Sequence, residues 1–389
     1  MKTKGIAKLL MLYMAFCAHA AFGQNMDRPF GWACCSSETS ADDYIVSGGS
    51  EKADTIVLVS NGQDMRTALS NAIKNHSVIV LDGRKGDFIV SSSVDVNELD
   101  NRTLIGINGA TIRTAFTLSD DIRKALDKAK VRDASSKSGT GGMLCNGANV
   151  KEEREYLTRK TIIELTGDTL EAYRKSGVIN IKRSNNWIVR GLRLYGPGSC
   201  DVGGTDVMSL YSATHVWIDH CEFMNGMDGN LDITNESDFV TVSFCKFSYD
   251  SLSYDHMNSN LVGGSDKNIK DMGKLHVTYA YNIWGKGCMQ RMPMVRYGFV
   301  HVLNNYYDCP GNIGGINPRI GSYVLAEGNY FGKGVKKIFR DNNSVAYTIC
   351  DNYYSEKFVQ PEDKGSVAVP YKYGFIEPSD LAKMLKVED

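Results

Sequence analysis

Between Trp187 and Tyr354 the apolar residues recur in short period-two runs, each broken by Asn, Gly or charged residues. A template with apolar or ladder-type residues at positions 1, 3, 6 and 8 describes these runs. It fits Trp187, Val189, Leu192, Leu194, then Val216, Ile218, Cys221, Phe223, then Val240, Val242, Cys245, Phe247. It continues through Val277, Tyr279, Asn282, Trp284, then Val300, Val302, Asn305, Tyr307. Val324, Ala326, Asn329, Phe331 and Tyr347, Ile349, Asn352, Tyr354 close the series. Successive copies are 29, 24, 37, 23, 24 and 23 residues apart. Repeats of this length predict a solenoid with one turn per repeat. The period-two alternation and the Val, Ile, Tyr and Phe content predict strands rather than helical repeats. The sixth position reads Leu, Cys, Cys, Asn, Asn, Asn, Asn, and identical amides at one phase can bond turn to turn as a ladder.

Other segments find places around this stack. Asp64 to Lys74 has the pattern of a short amphipathic helix before a strand at Val78 to Leu81, and such a helix would cap the open end of the solenoid. Asp380 to Lys386 predicts a small C-terminal helix. Residues 121–175 are charged and poor in strand signals, and predict a partly helical excursion. Residues 248–273 account for the 37-residue step and predict one long loop beside a turn.

Composition narrows the function classes. The chain has 389 residues, with 44 Lys and Arg against 45 Asp and Glu, so no bulk basic charge points to nucleic acid or an anionic membrane. Lys2, Lys4 and Lys8 precede the apolar run Leu9 to Ala18, with small Ala21 and Gly23 before Gln24. This pattern predicts a cleavable export signal over 1–23, a secreted or periplasmic location, and a single domain over 24–389. The apolar run is too short to span a bilayer. A lipid anchor on Cys17 is disfavoured by the bulky Phe16 before it. Nine cysteines remain after residue 23, an odd number that leaves at least one thiol unpaired within the chain. The adjacent Cys34-Cys35 is not a zinc-ligand spacing.

The repeat also serves as a ruler for candidate chemistry. Asp206 lies 10 residues before Val216, and Asp228 and Asp232 lie 12 and 8 residues before Val240. These carboxylates share nearly one phase on adjacent turns, which a spacing of roughly 4.8 Å would bring together. Such a cluster suits Ca2+, which takes about six to eight oxygen ligands in flexible geometry. Surface turns also carry Asp for local hydrogen bonding, so each aspartate alone is weak evidence. Arg291 lies 9 residues before Val300, two turns beyond Asp228 and Asp232, and Arg296 adds a second guanidinium suited to a carboxylate.

Two motifs carry a resemblance. Trp217-Ile218-Asp219-His220 is similar to a signature of the pectate lyase/pectin lyase superfamily. Arg291-x-Pro293-x-x-Arg296, followed by Gly298-x-Val300-His301-Val302-x-Asn304-Asn305, resembles that superfamily's other hallmark. The resemblance runs from about Gly177 to Tyr307, and is looser over Phe30 to Gly49 and Asp64 to Gly83. It implies an all-β fold, a right-handed single-stranded parallel β-helix, and β-elimination of α-1,4-linked polygalacturonate. It implies calcium at Asp206, Asp228 and Asp232, proton abstraction by Arg291 and substrate binding by Arg296. Asp219 and His220 read as structural.

The sequence departs from the family pattern twice. Gly204 stands where many calcium-dependent members carry a further Asp, and Asn258 stands where members often place a substrate-binding Lys. Lys246, or alternatively Lys267, is the candidate to replace that Lys. The expected partner is pectin or polygalacturonate, and a monomer is expected. Rival readings are a calcium-independent pectin lyase on methyl-esterified substrate, a hydrolase using paired carboxylates, and a non-catalytic glycan-binding β-helix.

Overall fold

In the computed structural model, residues 27–49, 54–128, 159–165, 167 and 175–387 are described. Among them, the strands form three sheets of ten, nine and seven strands, every pair of neighbouring strands parallel. Each turn visits the three sheets in the same order. One turn uses Met208–Tyr211 in the seven-stranded sheet, Thr214–Asp219 in the ten-stranded sheet and Glu222–Met224 in the nine-stranded sheet. The result is an all-β, right-handed parallel β-helix.

The repeat template is the strand register. Trp187, Val216, Val240, Val277, Val300, Val324 and Tyr347 are successive partners on the ten-stranded sheet. Template positions 1 and 3 point inward there. Position 8 points inward from the nine-stranded sheet, where Phe223, Phe247, Trp284, Tyr307, Phe331 and Tyr354 stack. Their ring centroids lie from 4.4 Å (Tyr307–Phe331) to 5.8 Å (Phe247–Trp284) apart. The sixth position forms the expected amide ladder. Asn282 Nδ2 donates to Asn305 Oδ1 at 3.0 Å, Asn305 to Asn329 at 3.0 Å and Asn329 to Asn352 at 2.9 Å. Each Oδ1 also accepts the backbone N–H of the preceding Asn, so buried polar groups are paired at the bend.

The capping helix spans Arg66–Asn75 and buries Leu69, Ala72 and Ile73 over the first turns. The C-terminal helix spans Pro378–Leu385. Of the 121–175 excursion, the described part holds helix Asp120–Lys128 and the helical residues 159–165. Leu118, Ile122, Leu126 and Ile162 pack on Cys200, Val202, Met227 and Tyr254, forming a small separate core. Residues 1–23 lie outside the described residues. No disulfide joins the cysteines among the described residues.

One expectation needs correction. Residues 248–273 are not one loop, because strand Asn260–Val262 lies within them and belongs to the seven-stranded sheet. The template followed only two sheets, and this three-residue strand with a buried Asn at its start carries no alternation to detect.

The ladder yields a prediction. Asn305→Ala removes an amide bonded on both sides, orphans the Asn282 backbone N–H and breaks the side-chain bonds to Asn329 Oδ1 and Tyr279 O. Each orphaned buried group costs about 1–3 kcal/mol, so a drop of several degrees in Tm is expected by thermal denaturation. An unchanged Tm would show the ladder to be dispensable.

Candidate active site

The outer face of the seven-stranded sheet gathers the candidate residues. Met208, Leu210, Leu231 and Ile233 fill the core, so the alternating Ser209, Tyr211, Asp232 and Thr234 face outward. Register extends the outward rows turn by turn. Ser209, Asp232, Leu261, Met294 and Asn317 form one row. Asp206, Asp228 and Arg291 come from the bends that lead into these strands.

Asp206 and Asp232 converge. The point that a Cβ on Gly229 would occupy lies 2.9 Å from Asp206 Oδ1 and 3.1 Å from Asp232 Oδ1. The glycine keeps this hollow open, and a side chain there would fill it. Both of these oxygens are buried without a hydrogen-bond partner. The other oxygen of Asp206 accepts from Ser209 Oγ at 2.9 Å. Asp228 is reached from the far side by His256 Nε2, 2.6 Å from its Oδ1.

The electrostatics record the crowding. Burial first, and then the charge of Asp228, push the Asp206 carboxyl up to about 7, against the Ser209 hydrogen bond and the Arg291 charge. Burial and Asp206 likewise raise Asp232 well above the usual carboxylate range, and Arg291 again pulls the other way. Buried like charges resist joint ionisation unless a cation joins them. Two orphaned carboxylate oxygens aimed at one open hollow, with Asp228 beside them, fit a hard oxygen-seeking cation such as calcium.

Arg291 stands two turns along the axis from Asp232, bonded through its carbonyl to Asn260 N at 2.7 Å. Its φ of 61° lies in the left-handed region that costs a non-glycine residue about 1–2 kcal/mol. Its guanidinium makes no hydrogen bond or ion pair with any described residue.

Arg296 lies farther along the same strand direction. Its Nε binds Asp266 and its Nη1 donates to Gly263 O at 3.0 Å. Burial pushes Arg296 below its ordinary range, and Asp266 opposes this. Arg319, stacked one turn beyond, places Nη2 3.0 Å from the other oxygen of Asp266. The pair Asp266 and Arg319 was missed in the sequence, although Arg319 follows Arg296 by 23 residues, one repeat step.

The two lysine candidates lie apart from the aspartates. Lys246 opens a strand of the nine-stranded sheet between Glu222 and Ile283, and its charge acts with that of Lys286 on Asp308. No contact among the described residues brings it to the aspartates or Arg291. Lys267 lines a shallow hollow with Asn235, Gly264, Ser265 and Asn268, next to Asp266. Asn258 is fully buried.

The Trp217-Ile218-Asp219-His220 motif is structural here. Asp219 is fully buried and binds Arg190 Nε at 2.9 Å, His220 Nδ1 at 2.6 Å and Ser243 Oγ at 2.6 Å. Trp217 Nε1 donates to the same Ser243 at 3.0 Å. These residues sit on the ten-stranded sheet, away from the acidic face.

The family model described as pectate lyase matches residues 124–375. Probable pectate lyase B of Aspergillus terreus is 30% identical over 260 residues, covering 64% of this chain and 73% of that protein. Pectate trisaccharide-lyase of Thermotoga maritima is 38% identical over 164 residues, covering 40% of this chain and 42% of that protein. A Bacillus pectate lyase solved in complex with trigalacturonate superimposes with a TM-score of 0.59 at 17% identity, covering 93% of this chain and 98% of that one. Jun a 1, the major allergen from cedar pollen, superimposes with a TM-score of 0.58 at 17% identity, covering 92% of this chain and 91% of that one. The structural matches carry the fold, and the match of the family model over most of the chain carries the kinship: the chain belongs to the pectate lyase family.

Proposed function

We propose that the protein cleaves α-1,4-linked polygalacturonate by calcium-dependent β-elimination, with Arg291 as the base. The observation that carries this reading is one outward face holding an unengaged arginine and two partnerless carboxylate oxygens. An acidic polymer laid along this face would meet Arg291, Arg296 and a cation in line with the stacked turns. The relative solved with trigalacturonate supports the same substrate class.

In this reading, Asp206, Asp228 and Asp232 hold calcium, which when bound supplies positive charge to the uronate carboxylate and favours loss of the neighbouring C5 proton. Arg296 fixes a substrate carboxylate through its guanidinium. Arg291 takes the C5 proton. The C5–H electrons become the C4=C5 double bond, the C4–O bond breaks, and the departing oxygen gains a proton from solvent. No water is consumed. An arginine is ordinarily protonated well beyond neutral pH, so the competent neutral form grows as pH rises. A hydrolase would need a general acid paired with a base or nucleophile, and would leave Arg291 without a role. Residues 1–23 read as an export signal, which suits a polymeric substrate outside the cell. No helix among the described residues is long and apolar enough to cross a membrane.

Three outcomes are expected. Arg291→Lys lowers kcat by about 100-fold or more, the scale of a lost general base, with Tm unchanged. Equal activity in this variant would remove Arg291 from the chemistry. Activity of the wild type rises from neutral toward alkaline pH, and a flat profile would count against an arginine base.

The third outcome follows from Asp206. Its carboxyl is raised from 3.8 to about 7, so the proton must leave before the oxygen can bind a cation. Calcium affinity measured calorimetrically should tighten as pH climbs through about 7. The same shift favours the cation-free fold below pH 3.8, and that advantage is gone above about 7. Asp206→Asn should therefore raise Tm in chelator at alkaline pH while weakening calcium binding. A lower Tm in that variant would show that Asp206 is held as an ordinary paired carboxylate.

A further inference from the structure

The chain supplies fewer carboxylates to the cation hollow than the family pattern leads one to expect. Gly204 stands at the vacant position, and a Cβ added there would sit 1.9 Å from Met227 Sδ. The thioether therefore fills the space that a side chain at 204 would use. A site with fewer ligands depends more on how well the remaining ones are held.

His256 touches one of them. Its ring is 5% exposed and lies between two carboxylates, with Nε2 2.6 Å from Asp228 Oδ1 and Nδ1 3.4 Å from Asp201 Oδ2. Asp201 is 1% exposed, and its backbone N–H donates to Asp255 Oδ1 at 3.1 Å. Ser199 Oγ donates to Asp255 O, and Tyr254 N donates to Ser199 O at 2.8 Å. Two bends, 199–201 and 254–256, are thus tied together around the imidazole. The apolar cluster of Leu118, Ile122, Leu126, Ile162 and Tyr254 backs them. Asp228 by contrast is one-third exposed.

We propose that His256 is a positioning residue of the cation site: set beside Asp201, it fixes the Asp228 carboxylate by donating from Nε2 to Oδ1, and so holds that carboxylate for the cation that Asp206 and Asp232 would also bind. The role rests on the calcium reading given above. It explains why a buried histidine sits at a backbone φ of 57°, a conformation tolerated by Asn, Asp and His more readily than by bulkier residues. It also gives the excursion around residue 121 a function, since its helix buttresses the loop that carries His256.

The test uses calcium itself as probe. Calcium binding is measured by isothermal titration calorimetry on the full protein, alone and with saturated trigalacturonate, at fixed pH. His256→Asn suits the left-handed backbone but is too short to reach Asp228. It should weaken calcium binding by about 10–100-fold, the usual effect of losing a partner that orients a metal ligand. Asp201→Asn keeps the backbone and volume and should weaken binding less, and it decides the matter if His256→Asn does not fold. Tm in chelator reports folding separately. Calcium bound as tightly as by the wild type, or more tightly, in a folded variant overturns the positioning role alone. Wild type that takes up no calcium in either condition overturns the calcium reading and this role with it.

Discussion

Everything in this molecule depends on the register of parallel strands from one turn to the next. Main-chain ladders fix each residue opposite a partner one turn away, at roughly 4.8 Å. The constraint turns sequence spacing into spatial neighbourhood. It builds the core as columns, with Val216 on Trp187 and Val240 on Val216, and it stacks rings from Phe223 to Tyr354. It also places Asp232 two turns from the strand that follows Arg291, on the same outer face. The amide ladder of Asn282, Asn305, Asn329 and Asn352 keeps the bend polar yet satisfied while the stack continues.

The acidic hollow is built against the preferences of its own side chains. Asp206 and Asp232 are drawn out of water and toward one another, and both resist ionisation. A fold selected for stability alone would pair or remove such groups. Their cost becomes intelligible if a cation binds them, because it supplies the counter-charge that Arg291 otherwise provides from a distance. In the proposed reading Arg291 is then left for the substrate. Farther along, Asp266 joins Arg296 to Arg319, so the basic end of the groove is itself organised by a carboxylate.

Much of this was legible in the sequence because the repeat is a geometric statement. The 29-, 24-, 37-, 23-, 24- and 23-residue steps are the observed strand pairings on the ten-stranded sheet. The seven-stranded sheet was harder to see. Its strands are two to four residues long, too short for alternation to register, and Asn260–Val262 was read as part of a loop. That sheet is the one that carries the acidic face. His256, Asp201 and Asp266 lie in bends whose spacing varies between turns, so phase gives no handle on them. Arg319, one step after Arg296, was within reach of the same ruler. Lys246 is the sequence's candidate to replace the Lys absent at Asn258, yet its strand belongs to a different sheet from the aspartates.

The central claim is that this register assembles a calcium-dependent eliminase rather than a hydrolase or a binding surface. Incubation with polygalacturonate, following the ultraviolet absorbance of unsaturated product and the new reducing ends together, tests it most directly. The account predicts that both appear in equal amounts with calcium and that both stop in chelator. New reducing ends without unsaturated product, or no cleavage at all in the presence of calcium, would contradict it.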